Sequence, residues 1–324
     1  DLGRVDGYAK FCNKLWNAAR YVLMNTEGED CGLDGERELS LADQWIRSRL
    51  AATIDEVHLR YRDYRFDLAA QALYEFAWYE FCDWYLELSK PALQSGETSP
   101  AARRGTRHTL VTVLEGYLRL LHPLMPFITE EIWQRVAPLA GRSGSTIMCA
   151  PYPEPDDFPR DAQAESRIAA IRALVLGARQ IRGQLDVPQS RAVPIYVIAS
   201  QLVDVEVAMS AEALIRAVGN ISTIEFVSSE SDAPPSALAI IEGRSIFVPL
   251  RDLIDDPAAE LRRLEKRAER VRQDLGRSTG KLANASFVAN APAEVVERER
   301  SRVAELEREL SALEEQRRRV AALG

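Results

Sequence analysis

The sequence has 324 residues, of which 46% are hydrophobic and 28% charged, and these proportions predict a soluble globular protein of two or three domains. Its formal net charge of -8 at pH 7 argues against indiscriminate binding to nucleic acids, although local basic patches remain compatible with RNA recognition. No apolar run is long enough to span a bilayer, and the amino terminus lacks a secretory signal pattern. We therefore expect a cytoplasmic protein with no membrane partner.

The four cysteines are scattered through the chain and include no C-x-x-C pair. This distribution argues against a zinc site or a disulfide framework, so we expect reduced thiols and no bound metal. The sequence begins at Asp1 rather than at a methionine, and we therefore expect it to be part of a longer protein.

The first amphipathic segment runs from Gly7 to Leu23. From Val5, just before it, apolar residues recur at steps of three and four, the period of an amphipathic helix: Val5, Tyr8, Phe11, Leu15, Ala19 and Val22. Its polar side combines amide, cationic and aromatic groups: Asn13, Lys14, Asn17, Arg20 and Tyr21. Single-stranded bases are bound by such groups, but a bundle helix with a solvated side would show the same pattern.

Residues 1–148 as a whole predict a helical bundle. Ser40 and Asp43 have the spacing of a capping box, with Asp in place of the usual Glu or Gln, before a second helix. A third helix over residues 68–85 is so rich in aromatic residues that most of them must be core. A loop over residues 94–98 follows it.

Two further helices complete the predicted bundle. Ser99-Pro100 predicts an N-cap followed by proline in the first turn of a fourth helix, which ends at His122. In the fifth helix we expect three large residues in the core: Phe127, Ile132 and Trp133. His122 has no carboxylate or nucleophile motif beside it, so we interpret it as a hydrogen-bonded structural residue.

Residues 149–254 predict a small α/β linking module that follows a Pro- and Asp-rich stretch. A helix over 162–185 precedes three strand-like runs, and a short helix lies between the first two of them: 193–198, 221–227 and 238–248, the last broken at Glu242-Gly243. Three arginines near the turn after the long helix would either contact a phosphate or form a solvated face: Arg179, Arg182 and Arg191.

Residues 255–324 predict two helices that pair as an antiparallel coiled-coil hairpin. Apolar residues follow a heptad pattern on both sides of a helix-breaking stretch at 281–292: Leu261, Leu264, Ala268, Val271 and Leu275, then Val303, Leu306, Leu310, Leu313 and Val320. This segment carries 15 Lys and Arg against 14 Asp and Glu, so it is less acidic than the rest of the chain. Mixed charge of this kind suits both an approach to RNA and the flanks of a coiled coil.

Four stretches resemble one enzyme family. F-C-N-K-L-W-N-A at 11–18 and F-C-D-W-Y-L-E at 81–87 are similar to the anticodon-binding domain of valyl-tRNA synthetases. The stretch L-H-P-L-M-P-F-I-T-E-E-I-W at 121–133 is similar to the valine, leucine and isoleucine enzymes together. K-L-x-N-x-x-F-V-x-x-A-P-x-x-V-V at 281–296 resembles the tip of the coiled-coil arm of the valine enzymes, which the other two lack.

The resemblance implies a mainly α protein made of an anticodon-binding bundle, the small α/β module and a tRNA-binding arm. It assigns anticodon contacts to Lys14, Asn17 and Arg20 as phosphate or base-edge partners, to Tyr21 as a stacking ring, and to Leu86 beside the bound anticodon. The arm would lie along the outer corner of the tRNA, with contacts from Arg277, Lys281 and Arg302. Phe287 would pack the hairpin turn or stack on a base.

The catalytic signatures of class I synthetases, His-x-Gly-His and Lys-Met-Ser-Lys-Ser, do not occur in this sequence. We therefore expect no catalytic residue and no cofactor here, and no activity from this chain alone. The resemblance implies that the parent enzyme uses ATP and magnesium to charge a valine-accepting tRNA, and that this chain is monomeric.

Two other readings remain open from the sequence. The chain could be the equivalent part of a leucine or isoleucine synthetase, which the arm pattern argues against. It could instead be a helical protein-interaction module, which an exposed apolar seam would favour and a hairpin turn argues against.

Overall fold

The chain is described by a computed structural model, and the residues described are 2–199, 205, 208–253, 257–284 and 293–321. It divides into two compact units, residues 1–172 with 207–218, and residues 173–206 with 219–324. The mainly α fold class is confirmed, with a four-stranded sheet as its β component.

The first unit is a helical bundle. Its helices are α1 (Leu2–Thr26), α2 (Leu41–Arg62), α3 (Phe66–Glu75), a π-helix (Phe76–Tyr85), α4 (Leu86–Gln94), α5 (Pro100–Leu121) and α6 (Pro126–Leu139). Short 3-10 turns follow at Ile147–Cys149 and Pro155–Asp157, before α7 (Ala162–Gln184), whose second half belongs to the second unit.

Local sequence signals start the bundle helices where they were predicted. The Ser40 hydroxyl accepts a hydrogen bond from the Asp43 amide at 3.1 Å, and the Asp43 carboxylate accepts one from the Ser40 amide at 2.9 Å. The capping box is therefore confirmed, with Asp as its acidic member. At α5, Ser99 accepts from the Ala102 amide at 3.0 Å and Pro100 occupies the first turn, as predicted.

The aromatic-rich third helix is longer than predicted and contains ten residues of π-helix. The α3, π-helical and α4 segments follow one another without a gap from Phe66 to Gln94. The wider turns of a π-helix shift the residues that follow onto a different face. Side-chain contacts with α1 show that the two run parallel: Phe11 with Tyr74, Lys14 with Asp83, and Tyr21 with Ser89.

A fully buried carboxyl group joins three elements inside the bundle. Asp43 of α2 accepts hydrogen bonds from the Tyr85 hydroxyl at 2.7 Å and the Thr106 hydroxyl at 2.9 Å, in addition to the Ser40 amide. Desolvation by burial raises the pKa of Asp43 above its ordinary value, although these hydrogen bonds act in the opposite direction. The side chain is thus satisfied geometrically but is costly to ionise.

The prediction of three core residues in α6 is right for two of them. Ile132 and Trp133 are buried, whereas Phe127 is 90% exposed, so its assignment to the core is wrong. At roughly 100° per residue, Phe127 lies about 140° from Ile132 and 120° from Trp133 around the helix, on the opposite side. The interpretation of His122 is confirmed, since its Nδ1 lies 2.7 Å from the Thr129 hydroxyl.

The second unit contains the four-stranded sheet. Its strands are β1 (Val193–Ile198), β2 (Ile221–Val227), β3 (Ser236–Ile241) and β4 (Arg244–Pro249), and the order is β2-β1-β4-β3. β1 is parallel to β2 and antiparallel to β4, and the predicted hairpin joins β3 and β4. Its two turn residues, Glu242 and Gly243, both have positive φ, as in the two-residue turns that match strand twist.

Two short helices lie among the strands in chain order: α8 (Glu212–Gly219), most of which belongs to the first unit, precedes β2, and α9 (Leu250–Leu253) follows β4. Both readings of Arg182, as a phosphate ligand or a solvated residue, are wrong because its side chain is fully buried. Its guanidinium donates hydrogen bonds to the carbonyls of Gly219 and Asn220, at 2.8 and 2.5 Å. The buried cation therefore ties α7 to the turn that leads into β2.

The predicted antiparallel hairpin is confirmed by α10 (Pro257–Ala283) and α11 (Ala293–Ala321). Ion pairs cross between them at sequence separations that shrink toward the turn, from 42 for Arg267–Glu309 to 18 for Lys281–Glu299. Most of the predicted heptad residues form its core: Leu261, Leu264, Ala268, Val271, Leu306, Leu310, Leu313 and Val320. Phe287 and the rest of 285–292 lie outside the described residues.

Candidate nucleic-acid interface

One face of α1 presents polar side chains next to the continuous helix from Phe66 to Gln94. Asn13, Asn17 and Arg20 are exposed at steps of three and four residues, so they share one side of the helix. Arg20 forms no hydrogen bond or ion pair with another residue that the structure describes. Its guanidinium is therefore available to an external acceptor, and the two amides offer both donors and acceptors.

Tyr21 lies at the edge of this face and is held by a chain of hydrogen bonds. Its hydroxyl is 3.1 Å from the Ser89 hydroxyl, and Ser89 donates in turn to the Leu86 carbonyl at 2.8 Å. Since Ser89 has one proton to donate, Tyr21 is the donor in the first of these bonds. Desolvation by burial raises the pKa of Tyr21 above its ordinary value, so the phenol stays neutral at pH 7.

The predicted anticodon neighbour Leu86 lies beneath this surface. Its side chain is 7% exposed, and its carbonyl ends the hydrogen-bond chain that begins at Tyr21. In this structure Leu86 therefore supports the position of the ring rather than offering a surface of its own.

Lys14 is engaged by two partners within the bundle. Its ammonium lies 2.5 Å from a carboxylate oxygen of Asp83 and 3.9 Å from the centre of the Trp78 ring. Trp78 in turn stacks on Tyr74, with ring centres 5.3 Å apart. The side chain of Lys14 is 25% exposed and that of Asp83 is 44% exposed, so water reaches the pair. A cation over an indole ring gains further attraction from the ring quadrupole.

A second ion pair lies near the Tyr21 ring. Lys90 and Glu87 of α4 are 2.6 Å apart, and both groups are close enough to Tyr21 to influence its pKa in opposite directions. This interface therefore combines a partly buried aromatic ring, exposed amides, an arginine with no partner among the described residues, and two lysines in ion pairs.

The predicted arm residues are brought together near the hairpin turn. Arg277 and Lys281 are four residues apart on α10 and therefore share one side of it. Lys281 pairs with Glu299 at 2.7 Å, while Arg277, which is largely exposed, pairs with Asp274 at 3.2 Å. The hydrogen bond from Lys281, with a contribution from the charge of Arg302, lowers the pKa of Glu299, so Arg302 lies near the same carboxylate.

Two other features are absent from the described part of the chain, a metal-binding cluster and a membrane-spanning helix. No group of three or more His, Cys, Asp and Glu residues there has an arrangement that could hold a metal ion. No helix in the described ranges is both long and apolar enough to cross a membrane.

Comparison with known proteins identifies both regions. A family described as the anticodon-binding domain of tRNA ligase matches residues 43–197, and one described as the valyl tRNA synthetase tRNA binding arm matches residues 256–321. Valine--tRNA ligases of two Xylella fastidiosa strains, M12 and 9a5c, are each 46% identical to the chain over 333 aligned residues, which include 98% of it. The chain therefore carries an anticodon-binding domain of the tRNA-ligase type and a valyl-tRNA synthetase tRNA-binding arm.

The chain spans about a third of the length of these relatives, since the alignments cover 33% of them. The match to the anticodon-binding domain begins at residue 43, so α1 and the predicted residues from Lys14 to Tyr21 precede it. Leu86 lies inside that match, which extends to residue 197 in β1. Arg277, Lys281 and Arg302 all lie inside the arm match.

Sequence reasoning missed the partners of these residues. Trp78, Asp83 and Ser89 complete the interface from the helix opposite α1, and none was named as a site residue. The F-C-D-W-Y-L-E stretch that carries the synthetase resemblance contains Asp83, which is the one signal that pointed there. Helical periodicity does not identify these faces, because the π-helix changes which residues share a side.

Proposed function

We propose that this chain is the tRNA-recognition portion of a valine--tRNA ligase. Its bundle reads the valine anticodon, its arm contacts the outer corner of the tRNA, and together they position the tRNA for ATP-dependent aminoacylation by a catalytic domain. That domain, with its ATP and magnesium, belongs to the rest of the enzyme, and this portion has no cofactor and is inactive alone. The partner is a valine-accepting tRNA, and the protein acts as a cytoplasmic monomer.

The observation that carries the proposal is the arrangement around Tyr21. Its ring is fixed by the hydrogen bond to Ser89, while Arg20, the preceding residue, and Asn17, one turn earlier on the same helix, are exposed. A ring that is already immobilised loses little freedom when a base stacks on it. The neighbouring guanidinium and amide then supply contacts to a phosphate and to base edges.

The arm supplies contacts of another kind. Arg277, Lys281 and Arg302 are cations near the hairpin turn, and they suit the regular phosphate backbone of folded RNA. Such contacts set register and orientation without reading bases. We therefore assign discrimination between anticodons to the bundle, and placement of the tRNA body to the arm.

Binding energy gained at these remote sites serves catalysis elsewhere. Contacts with non-reacting parts of a substrate can be used to orient its reacting end, which lowers the barrier of the chemical step. In this proposal the tRNA 3′ end is oriented in the catalytic domain by interactions made at the anticodon and the outer corner.

The test is a binding titration of this chain with a valine-accepting tRNA and with the same tRNA carrying a replaced anticodon, at two salt concentrations. Tyr21→Ala should lose roughly 1–3 kcal/mol of binding free energy with the first tRNA and little with the second, since one stacked base is removed. The matched control is Tyr8→Ala, an exposed tyrosine on the same helix about 20 Å away.

Equal binding to both tRNAs, or no binding at tens of micromolar, would contradict anticodon reading by this chain. An equal loss for Tyr8→Ala and Tyr21→Ala would contradict the location of the site.

A further inference from the structure

We propose that Asp83 is a specificity-determining residue that keeps Lys14 in an ion pair and so withholds this cation from non-matching RNA. This inference rests on the proposed function and concerns the same interface. The carboxylate acts through Lys14, so it is a positioning residue rather than an RNA contact.

The geometry of Lys14 is that of a held cation. Its ammonium is 2.5 Å from Asp83 and 3.9 Å from the centre of the Trp78 ring, so the carboxylate and the indole face both attract it. Both partners come from the helix opposite α1. The lysine is thus directed across the interface toward that helix.

The charges near this surface indicate why the pairing of Lys14 with Asp83 would favour selective binding. Lys14 is paired with Asp83 and Lys90 with Glu87, whereas Arg20, the residue before Tyr21, has no ion pair among the described residues. An RNA of any sequence attracts unpaired cations through its phosphates. Pairing two of the three lowers this attraction, and the net charge of -8 acts in the same direction.

The Lys14–Asp83 pair remains exchangeable because both side chains are partly exposed. Ion pairs in contact with water gain little net free energy, so a well-placed phosphate or base acceptor can compete for the lysine. A matching RNA is fixed in one register by stacking on Tyr21, where Lys14 can stay paired with Asp83, whereas a non-matching RNA is held by its phosphates alone and gains from every free cation. Asp83 therefore weakens the binding of non-matching RNA more than that of matching RNA, and this difference increases specificity.

The decisive variant is Asp83→Asn, which removes the charge and preserves the shape of the side chain. Binding is measured over a series of salt concentrations with a valine-accepting tRNA and with its anticodon-replaced counterpart. We expect binding of the replaced tRNA to strengthen roughly threefold to tenfold at low salt, and its log–log salt dependence to steepen by roughly 0.7, because one more lysine is free to displace counterions. Binding of the valine-accepting tRNA should change less, so the ratio between the two tRNAs falls.

Two further variants test whether the effect acts through Lys14. In a Lys14→Met background, Asp83→Asn should alter neither the salt dependence nor the ratio, since no lysine remains to be released. Asp67→Asn is the matched control, because it removes the partner of Arg65 from an exposed pair. Asp67 lies roughly 20 Å from Asp83 along the same continuous helix, beyond the screening length of about 8 Å at physiological salt.

Several results would overturn the inference. Weaker binding of both tRNAs by Asp83→Asn would mean that the carboxylate places Lys14 productively, and an unchanged ratio would mean that it has no role in selection. An equal effect of Asp67→Asn would mean that the change in binding follows from net charge alone. Failure of the proposed function would be distinct, because the unmodified chain itself would then bind both tRNAs equally or not at all.

Discussion

The Tyr21 hydroxyl lies 3.1 Å from the Ser89 hydroxyl, and this contact joins α1 to α4 at the edge of the proposed anticodon surface. Ser89 is buried and in turn donates a hydrogen bond to the Leu86 carbonyl. The orientation of the Tyr21 ring thus depends, through Ser89, on the backbone carbonyl of Leu86 in α4.

Tyr21→Phe removes the hydroxyl and keeps the ring, so it distinguishes the contributions of the two groups. We expect tRNA affinity to stay within about threefold, since stacking requires the ring, while the free energy of unfolding falls by roughly 1 kcal/mol for the lost hydrogen bond. Chemical denaturation and a binding titration of the same sample measure the two effects. A tRNA affinity as low as that of Tyr21→Ala would show that the hydroxyl, and not the ring, makes the contact.

Asp43→Asn tests the buried carboxyl group. In the folded chain the pKa of Asp43 is raised, so its contribution to stability is fully present below its unfolded pKa of about 4 and is lost as pH rises through the folded pKa. The variant lacks this dependence, so we expect the stability of the unmodified chain relative to the variant to fall as pH rises above 4.

Urea denaturation at a series of pH values gives this difference directly. The subtraction removes the opposing contribution of carboxylates whose pKa is lowered in the folded chain, such as that of Asp67 at about 2. A difference that grows with pH would mean that the hydrogen bonds to Asp43 outweigh its desolvation.

Gly105→Ala tests a close approach between α5 and the loop before α2. A Cβ at Gly105 would lie 2.0 Å from the Glu38 carbonyl oxygen, so the backbone would have to move. We expect a loss of about 1–3 kcal/mol in the free energy of unfolding, as for other overpacked sites. Thermal or chemical denaturation measures it.

Gly7→Ala in α1 is the matched control for that substitution. Apart from the helix's own backbone, no atom of the described residues lies within 4 Å of its added Cβ, so alanine should be neutral or stabilise the helix by roughly 0.5–1 kcal/mol. Equal losses at both positions would mean that the cause is helix propensity rather than contact with Glu38.

Arg302→Ala tests the arm as a sequence-independent contact. We expect weaker binding of valine-accepting and anticodon-replaced tRNA by the same factor, and a log–log salt dependence shallower by roughly 0.9, the value for one duplex phosphate contact. Arg262→Ala is the control, because Arg262 is an exposed arginine near the start of α10, away from the hairpin turn. A loss confined to one anticodon, or an equal loss for Arg262→Ala, would refute this role.

Local patterns in the sequence were enough to predict much of the architecture. The Ser40–Asp43 capping box, the Ser99-Pro100 start of α5 and the Glu242-Gly243 turn depend on residues within four positions of each other. Heptad spacing likewise predicted the arm seam, because a helix of known geometry determines which residues share a side. The four family-like stretches predicted the family before any three-dimensional information.

Tertiary structure alone decided which groups are exposed and which are paired. Phe127 is exposed although it is a large aromatic residue, and Arg182 is buried although it is charged, because each lies on the side of its helix that the neighbouring elements dictate. Lys14 was predicted from composition and resemblance, but its partners Asp83 and Trp78 are more than sixty residues away. Both partners lie within the π-helix Phe76–Tyr85, whose wider turns change which residues share a side, so no α-helical period in the sequence could place them opposite Lys14.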